Sequence, residues 1–489
     1  MLGCGCGLAF GQASPQSPTP PAKSQAQFGD KDVAALVELL KTPVTVASNI
    51  ISDRNKQPAS VTTITRNQIQ MSGARRLSDV LNLYVPGFFM VEDQDDSIAA
   101  FRGIAPDNNS KVMFLVNGHV MNTEWFLGPP DALLNGIALD YIERVDVIRG
   151  PGSVTLGQGA LLGVINVVTR VGAMDGHTAS GGIGKDNAYF AVFEGGSTEE
   201  SLRTYAHVTT SNYDGQSLRP EGNATRNWEG VKGGKVYEGG NRLRRANSLT
   251  AAVNLAYDDA ELDFMHADQT RDMYNFRRDR SAYEQSLDSL NGSYTFKLAP
   301  QHTLKGAFSL AQDDYILHSN LGFVMGGTRE YRQSLSAIYN GRFGAFNLAV
   351  GAEARRFDMG RRDRNGNNFV ANIADATLFD DPNAKRQWVH SKRIETQGLF
   401  AEAFLSIDPQ WDVFGALRYD KHPFWGSHVT PRFGALFSPE EALSFRLSYQ
   451  TGFRGAPGVH YAGGFQNDGL IREENFDKVF AATAGAEMN

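Results

Sequence analysis

After Arg170 the chain settles into one grammar: apolar and polar residues alternate one for one through short segments joined by turn-forming residues. A period of two is what a β-strand requires when its two faces meet different surroundings, because successive side chains point to opposite sides. Val253, Leu255 and Tyr257 fall on one face and Asn254, Ala256 and Asp258 on the other; beyond a short turn, Leu262 and Phe264 alternate with Glu261 and Asp263. Tyr294, Phe296 and Leu298 continue through Ala299-Pro300-Gln301 into Leu304, Phe308 and Leu310. Leu399, Ala401, Ala403, Leu405 and Ile407 lead through Asp408-Pro409-Gln410 into Trp411, Val413, Leu417 and Tyr419, and a last hairpin sets Phe433, Ala435 and Phe437 against Leu443, Phe445, Leu447 and Tyr449.

Alternation suits a soluble β-sandwich as well as a membrane barrel, so the connections must decide. Short turns are expected near 197–200, 258–260, 299–302, 342–345, 408–410 and 438–442. Longer polar loops, near 212–246, 270–286, 314–330, 357–394 and 453–476, all fall at the other end of the hairpins. Short turns on one rim and long loops on the other is the asymmetry of an outer-membrane barrel. No run approaches the roughly 18 apolar residues of a spanning helix. That excludes a helical membrane protein but not a barrel, whose strands need only about 10 alternating residues each. Glycine (51 residues) and aromatics (10%) suit a sheet with many turns and aromatic belts. The net charge of -7 and the lack of a basic block speak against nucleic acid as a partner. About 14 strands are expected before Asn489, and the closing residues Ala-Gly-Ala-Glu-Met-Asn lack a terminal aromatic strand; an open edge in lipid leaves amides unpaired, so the barrel is read as truncated.

The preceding residues read differently. Both cysteines, Cys4 and Cys6, lie at the start, so the remainder can form neither a disulfide nor a thiolate metal site. Residues 1–13, with apolar Leu2 to Phe10 followed by Gly11-Gln12-Ala13, are taken as the remnant of a signal peptide. Residues 14–41 form a Pro- and Ser-rich linker and a short helix in which Asp32 caps the stripe Val33, Leu36, Val37 and Leu40. From 58 to 170 a compact α+β unit is expected: a strand at Val61 to Thr65, a helix marked by Leu77, Val80, Leu81 and Tyr84 that Pro86-Gly87 ends, and strands at Val112 to Val116 and Val145 to Ile148. Pro129-Pro130-Asp131 can start a further helix between them. Gly152 and Gly157 have the gap of a nucleotide-binding loop, but Gln158-Gly159 stands where Lys-Ser/Thr is required, so no side chain would meet the terminal phosphates. His119, after Asn117-Gly118, is a turn residue with no metal-ligand spacing near it. No nucleophile, base and orienting residue share a recognisable setting, so no enzyme, cofactor or metal site is expected.

An ordered series of segments in this unit resembles the plug of TonB-dependent outer-membrane receptors. It runs from Pro58-Ala59-Ser60-Val61-Thr62 through Leu77-Ser78-Asp79-Val80-Leu81, Val85-Pro86-Gly87, Phe101-Arg102-Gly103 and Phe114-Leu115-Val116-Asn117-Gly118. Ile142-Glu143-Arg144-Val145-Asp146-Val147-Ile148-Arg149-Gly150-Pro151, Gly157 and Gly163 to Arg170 complete it. Thr451-Gly452-Phe453-Arg454-Gly455-Ala456-Pro457 resembles a family stretch too, with an extra glycine between arginine and alanine.

The resemblance implies an α+β plug domain, 58–170, inside a transmembrane antiparallel β-barrel, 171–489, that holds about 14 of the 22 strands of a plugged transporter. It implies an energy-coupling segment within 42–57, for which Thr42, Pro43, Val44, Thr45, Val46, Ala47 and Ser48 are candidates, adding a strand to a TonB-type partner protein. It implies that Arg102 and Arg149 reach toward glutamates of the barrel wall. Asp107, Asn108, Asn109, Trp125 and Phe126 are candidate ligand contacts, since aromatics beside amides suit a bulky polar ligand. The function so implied is active uptake of a scarce nutrient complex, an iron-siderophore or cobalamin, by a monomer in the outer membrane of a Gram-negative bacterium. A passive porin or an adhesin is the alternative.

Overall fold

The computed structural model describes residues 48–50, 59–92, 97–105, 109–125, 128–217, 242–243, 246–272, 282–318, 324–359, 370–371, 387–388, 392–440, 443–455 and 457–458. The signal remnant, the linker with its short helix, and Thr42 to Ala47 lie outside the described residues.

The first part is an α+β unit. Its strands are β1 (Ser60–Thr65), β2 (Phe88–Glu92), β3 (Ser97–Phe101), β4 (Val112–Val116), β5 (His119–Val120), β6 (Ile142–Arg149) and β7 (Gly163–Thr169). A 5-stranded sheet has the order β1-β6-β7-β4-β5, with β4 and β7 parallel and the other pairs antiparallel, while β2 and β3 form a separate hairpin. Strand β4 is apolar and buried along its whole length, as befits a strand covered on both faces. Its alternate residues feed two cores. Val112, Phe114 and Val116 join Ile64, Leu77, Leu81, Val145 and Val167; Met113 and Leu115 join Ile148 and Val164.

The helix Leu77–Tyr84 is the expected one, burying Leu77, Val80 and Leu81. The helix Arg66–Ser72 was not foreseen, although its capping box is plain in the structure: Gln68 N donates to Thr65 Oγ1 at 3.2 Å, and Thr65 N donates to Gln68 Oε1 at 2.9 Å. Nor was β7 read as a strand. His119 opens β5 instead of sitting in the turn, because Asn117 and Gly118 alone, at φ 50° and 82°, reverse the chain.

Among the described residues the second part is a 13-stranded antiparallel meander, against about 14 strands read from the sequence. Its strands are β8 (Gly176–Ile183), β9 (Tyr189–Glu199), β10 (Leu202–Tyr213), β13 (Ala246–Tyr257), β14 (Ala260–Asp272), β15 (Ala282–Ala299), β16 (His302–His318), β17 (Val324–Phe343), β18 (Phe346–Met359), β21 (Lys392–Ser406), β22 (Trp411–His422), β23 (Gly426–Glu440) and β24 (Leu443–Gln450). Two short ribbons, β11 (Gln216–Ser217) with β12 (Arg242–Leu243) and β19 (Val370–Ala371) with β20 (Gln387–Trp388), extend from its long-loop rim. Each strand of the meander pairs with the next in chain order, so the hairpins follow the register that alternation implied: Val253 opposes Phe264 and Leu255 opposes Leu262.

The sorting of side chains is inside-out for a soluble protein. Val253, Leu255, Leu262 and Phe264 are 41, 40, 40 and 41% exposed, whereas Asn254 and Asp263 on the opposite face are 2 and 8% exposed and hydrogen-bonded to each other. An apolar outer face with a polar, buried inner one is the signature of a barrel in lipid. Exposed aromatics gather toward the short-turn rim, where Tyr294 lies 4.6 Å from Phe296, Trp411 lies 4.6 Å from Phe437, and Phe343 and Phe346 are neighbours, forming part of an interfacial girdle. The long-loop rim is not uniformly long, for Pro423–Trp425 is a tight connection between β22 and β23. Leu310, at mid-strand in β16 and 45% exposed, faces lipid. Leu310→Arg should cost about 2–4 kcal/mol in a reversible urea refolding titration into bilayers. An unchanged midpoint would place that face outside the hydrocarbon.

Candidate functional site

A polar inner wall needs a polar filling, and the α+β unit supplies it. Its surface meets the sheet through a set of buried carboxylate and guanidinium contacts. Asp131, the first residue of the helix Asp131–Asn135, accepts Arg271 Nε at 2.6 Å and Arg271 Nη2 at 2.9 Å, and Arg271 also donates to Ser97 Oγ. The same helix donates Ala132 N to Gln285 Oε1 at 3.0 Å. On β9, Glu194 accepts Arg170 Nη1 at 2.6 Å and Tyr205 Oη at 2.9 Å, with Arg66 at 3.8 Å. On β17, Glu330 accepts the backbone amides of Glu124 at 3.0 Å and of Trp125 at 2.9 Å.

A further contact joins the helix Ser153–Leu156 to the wall. Helix C-termini leave carbonyls without partners. Here Arg355 Nη2 donates to Leu156 O at 2.8 Å and Arg418 Nη1 to Thr155 O at 3.5 Å, while Glu353 and Asp420 neutralise the two guanidiniums. Gly157 follows at φ 84°, and a Cβ there would stand 2.7 Å from Arg418 Nη2. The positive φ favours glycine there, and a larger residue would also have to displace the end of the Arg418 side chain.

The candidate residues named from the sequence are distributed differently. Arg102 and Arg149 do come together, since Arg102 Nη2 donates to the Arg149 carbonyl at 2.9 Å. Among the described residues, however, neither makes an ion pair, and the contacts between plug and wall use other side chains. Asn109 is 2% exposed and holds β3 in place, accepting from Ala99 N and donating to Ser97 O, so it is committed to the fold and not to a ligand. Trp125 is wholly buried, its ring 6.0 Å from Tyr315. Asp107, Asn108 and Phe126 lie outside the described residues; of the coupling segment only Ser48 is described, and it is buried. The wall residues that make the contacts went unread. Arg271 and Gln285 fall within the loop expected near 270–286 and Glu330 within that near 314–330, but the strands run on through these positions, β14 to Asp272, β15 from Ala282, β16 to His318 and β17 from Val324.

With this geometry in hand, comparison with known proteins is specific. The family model for the TonB-dependent receptor plug domain matches residues 53–164, and that for the TonB-dependent receptor-like β-barrel matches residues 192–481. The chain belongs to the TonB-dependent receptor family. It is therefore an outer-membrane protein of a family of receptors. The receptor is 34% identical over 143 residues to the vitamin B12 transporter BtuB of Vibrio vulnificus, covering 28% of this chain and 23% of that protein. It is 27% identical over 213 residues to the ferrienterobactin receptor of Escherichia coli, covering 40% of this chain and 27% of that one. These matches thus span about a quarter of each relative's length. In fold it is similar to the siderophore receptor PiuA from Acinetobacter baumannii, with a TM-score of 0.62 at 16% identity over 89% of this chain and 70% of that one. The FrpB iron transporter from Neisseria meningitidis gives 0.60 at 16% identity over 82% and 66%.

Between plug and wall lies a partly open cavity of about 510 Å³, bounded by Asn117, His119, Thr123 and Gln158 of the plug and by β14, β16, β17 and β18. Burial, reinforced by the Lys305 ammonium and opposed by Glu261, lowers the His119 pKa to about 4. Protonation is thus disfavoured in the docked plug. Stability from this residue is full above its ordinary value near 6.5 and is lost as pH falls from there to about 4. His119→Gln should therefore flatten the pH dependence of the plug's urea midpoint over that interval, removing on the order of 3 kcal/mol of acid sensitivity; a slope equal to that of the unaltered receptor would contradict it. Arg271→Gln, which strands Asp131, should weaken plug docking by about 3–5 kcal/mol, and adding Asp131→Asn should cost much less than a second such loss. Strict additivity in the same titration would mean that the two side chains act independently.

Proposed function

We propose that this receptor performs active uptake of a scarce nutrient complex, an iron-siderophore or a cobalamin, bound by outward plug loops and long barrel loops and released by an inner-membrane energy-coupling partner. The observation that carries the proposal is a lumen filled by a plug that meets the wall through buried hydrogen bonds and ion pairs, beside apolar contacts with Tyr205, Ala252, Met265, Ala267, Leu287 and Ala311. Buried ion pairs add little net stability yet can be traded for other partners, so the polar part of this contact can be exchanged when the plug shifts. A passive porin has no use for such a filling.

The attachment of residues 48–50 supports a coupling role for Thr42 to Ser48. Asn49 N donates to Glu402 Oε2 at 3.0 Å, and Arg432 Nη2 donates to Glu402 Oε1 at 2.7 Å. Ile50 packs on Phe404, Phe414 and Leu436. The segment thus runs directly into an anchor on the wall, and a partner that added a strand to it by backbone pairing could pull there without a pocket of its own. At the outer side, Glu330 holds the amides of Glu124 and Trp125 next to Phe126, so a ligand touching that loop would bear on a wall-bound stretch of plug.

Deleting residues 42–48 from the full-length receptor should abolish uptake while leaving ligand binding at the cell surface unchanged. Undiminished uptake would sink the coupling claim. Growth under iron limitation and under cobalamin limitation, each with and without the receptor, separates the two ligand classes. In planar bilayers the plugged barrel should be silent and a version lacking residues 58–170 should conduct.

A further inference from the structure

Arg332, on the inner face of β17, is 7% exposed and lines the cavity between plug and wall. Neither of its terminal nitrogens meets a hydrogen-bond acceptor among the described residues. Its nearest carboxylate, Glu330, stands 3.8 Å away and is occupied by two plug amides. Across the same cavity, Thr123 Oγ1 and Gln158 Oε1 are also buried without a partner. A guanidinium, a hydroxyl and an amide oxygen thus line one cavity without a hydrogen-bond partner among the described residues.

The wall explains why there is room. Arg332 is opposed by Ala311 on β16, and the next inward levels pair Ser334 with Ser309 and Ser336 with Ala307. Small side chains there leave space between sheet and plug, bordered by the hydroxyls of Ser309, Ser334 and Ser336. The space descends to the level where Ile338 opposes Lys305, roughly 20 Å from Arg332 at about 3.3 Å per residue. Arg355 borders it on β18 but is spent on Leu156 O and Glu353. The terminal nitrogens of Arg332, by contrast, make no hydrogen bond among the described residues, their ion pair with Glu330 standing at 3.8 Å.

We infer that Arg332, with Thr123 and Gln158, forms an interior binding site for an oxygen-rich anionic solute, one bearing carboxylate or phosphate groups, lodged between the plug and β16–β18. A guanidinium matches such groups with paired donors, the Thr123 hydroxyl adds a third, and Gln158 Oε1 accepts from a hydroxyl or protonated oxygen of the same solute. The site deepens the uptake reading and rests on it only for why an anion should enter the lumen; the binding itself is tested at rest.

The test uses purified full-length receptor with Cys4 and Cys6 replaced by serine and Ser334→Cys as reporter. Two thiosulfonate reagents of similar size, one anionic and one cationic, compete to label it. The anionic reagent should react about tenfold faster or more, because a confined cation concentrates anions. Citrate and inorganic phosphate, tested separately as carboxylate and phosphate probes, should slow it at millimolar levels. Arg332→Gln should bring the two reagents to similar rates and remove protection, and Arg332→Lys, which keeps the charge and guards against a folding defect, should retain the preference for the anion. No labelling at all, equal rates in the arginine form, or a preference that survives Arg332→Gln would each overturn the assignment. None of these outcomes depends on residues 42–48, so failure here is distinct from failure of coupled uptake.

Discussion

Hydrocarbon offers no partner to a backbone amide, and the rest of this architecture follows from that. A chain that crosses lipid as strands must pair every one with a neighbour, and the simplest way is to pair each with the next in sequence. The meander from β8 to β24 does so without a crossover. Once the strands are fixed, their period of two forces one face into lipid and the other inward, so Leu255 and Leu262 look out while Asn254 and Asp263 look in. The inner face cannot be apolar without losing the distinction that sets the register. A polar lumen is therefore built in before any function is considered, and whatever fills it must present polar groups while keeping its own apolar cores inside. The plug splits the residues of β4 between two cores, one of which continues into Tyr205, Ala252, Met265, Ala267, Leu287 and Ala311 of the wall, and sets charged and amide side chains around that apolar contact.

What the sequence made legible follows the range of the interactions. Hairpin register could be read because strict alternation and turns such as Asp258, at φ 48°, act within a dozen residues of one another. The helix Leu77–Tyr84 announced itself by its apolar spacing. The helix Arg66–Ser72 is also marked in the sequence, by Thr65 and Gln68 at the spacing of a capping box directly after a β-rich run.

The pairing of Asp131 with Arg271 was beyond reach. It depends on how far the sheet curves between β14 and the plug, and no local pattern encodes that. Asn109 misled for a related reason, because a loop amide looks the same whether it faces a ligand or, as here, the backbone of β3. Family resemblance located the plug, yet it pointed to Arg102 and Arg149 for contacts that Asp131, Glu194, Glu330 and Arg355 make among the described residues.

The ties between plug and wall are not equivalent, and the Glu402 anchor has a mechanical meaning. When Asn49 leaves Glu402, the carboxylate keeps Arg432, so no charge is stranded and the bond yields cheaply. When Asp131 leaves Arg271, two buried ions lose each other at once, and rupture is far costlier. Of these two fastenings, the one beside residues 48–50 is thus the cheaper to release, and the two differ in what each leaves behind: a carboxylate still paired in one case, two unpaired ions in the other.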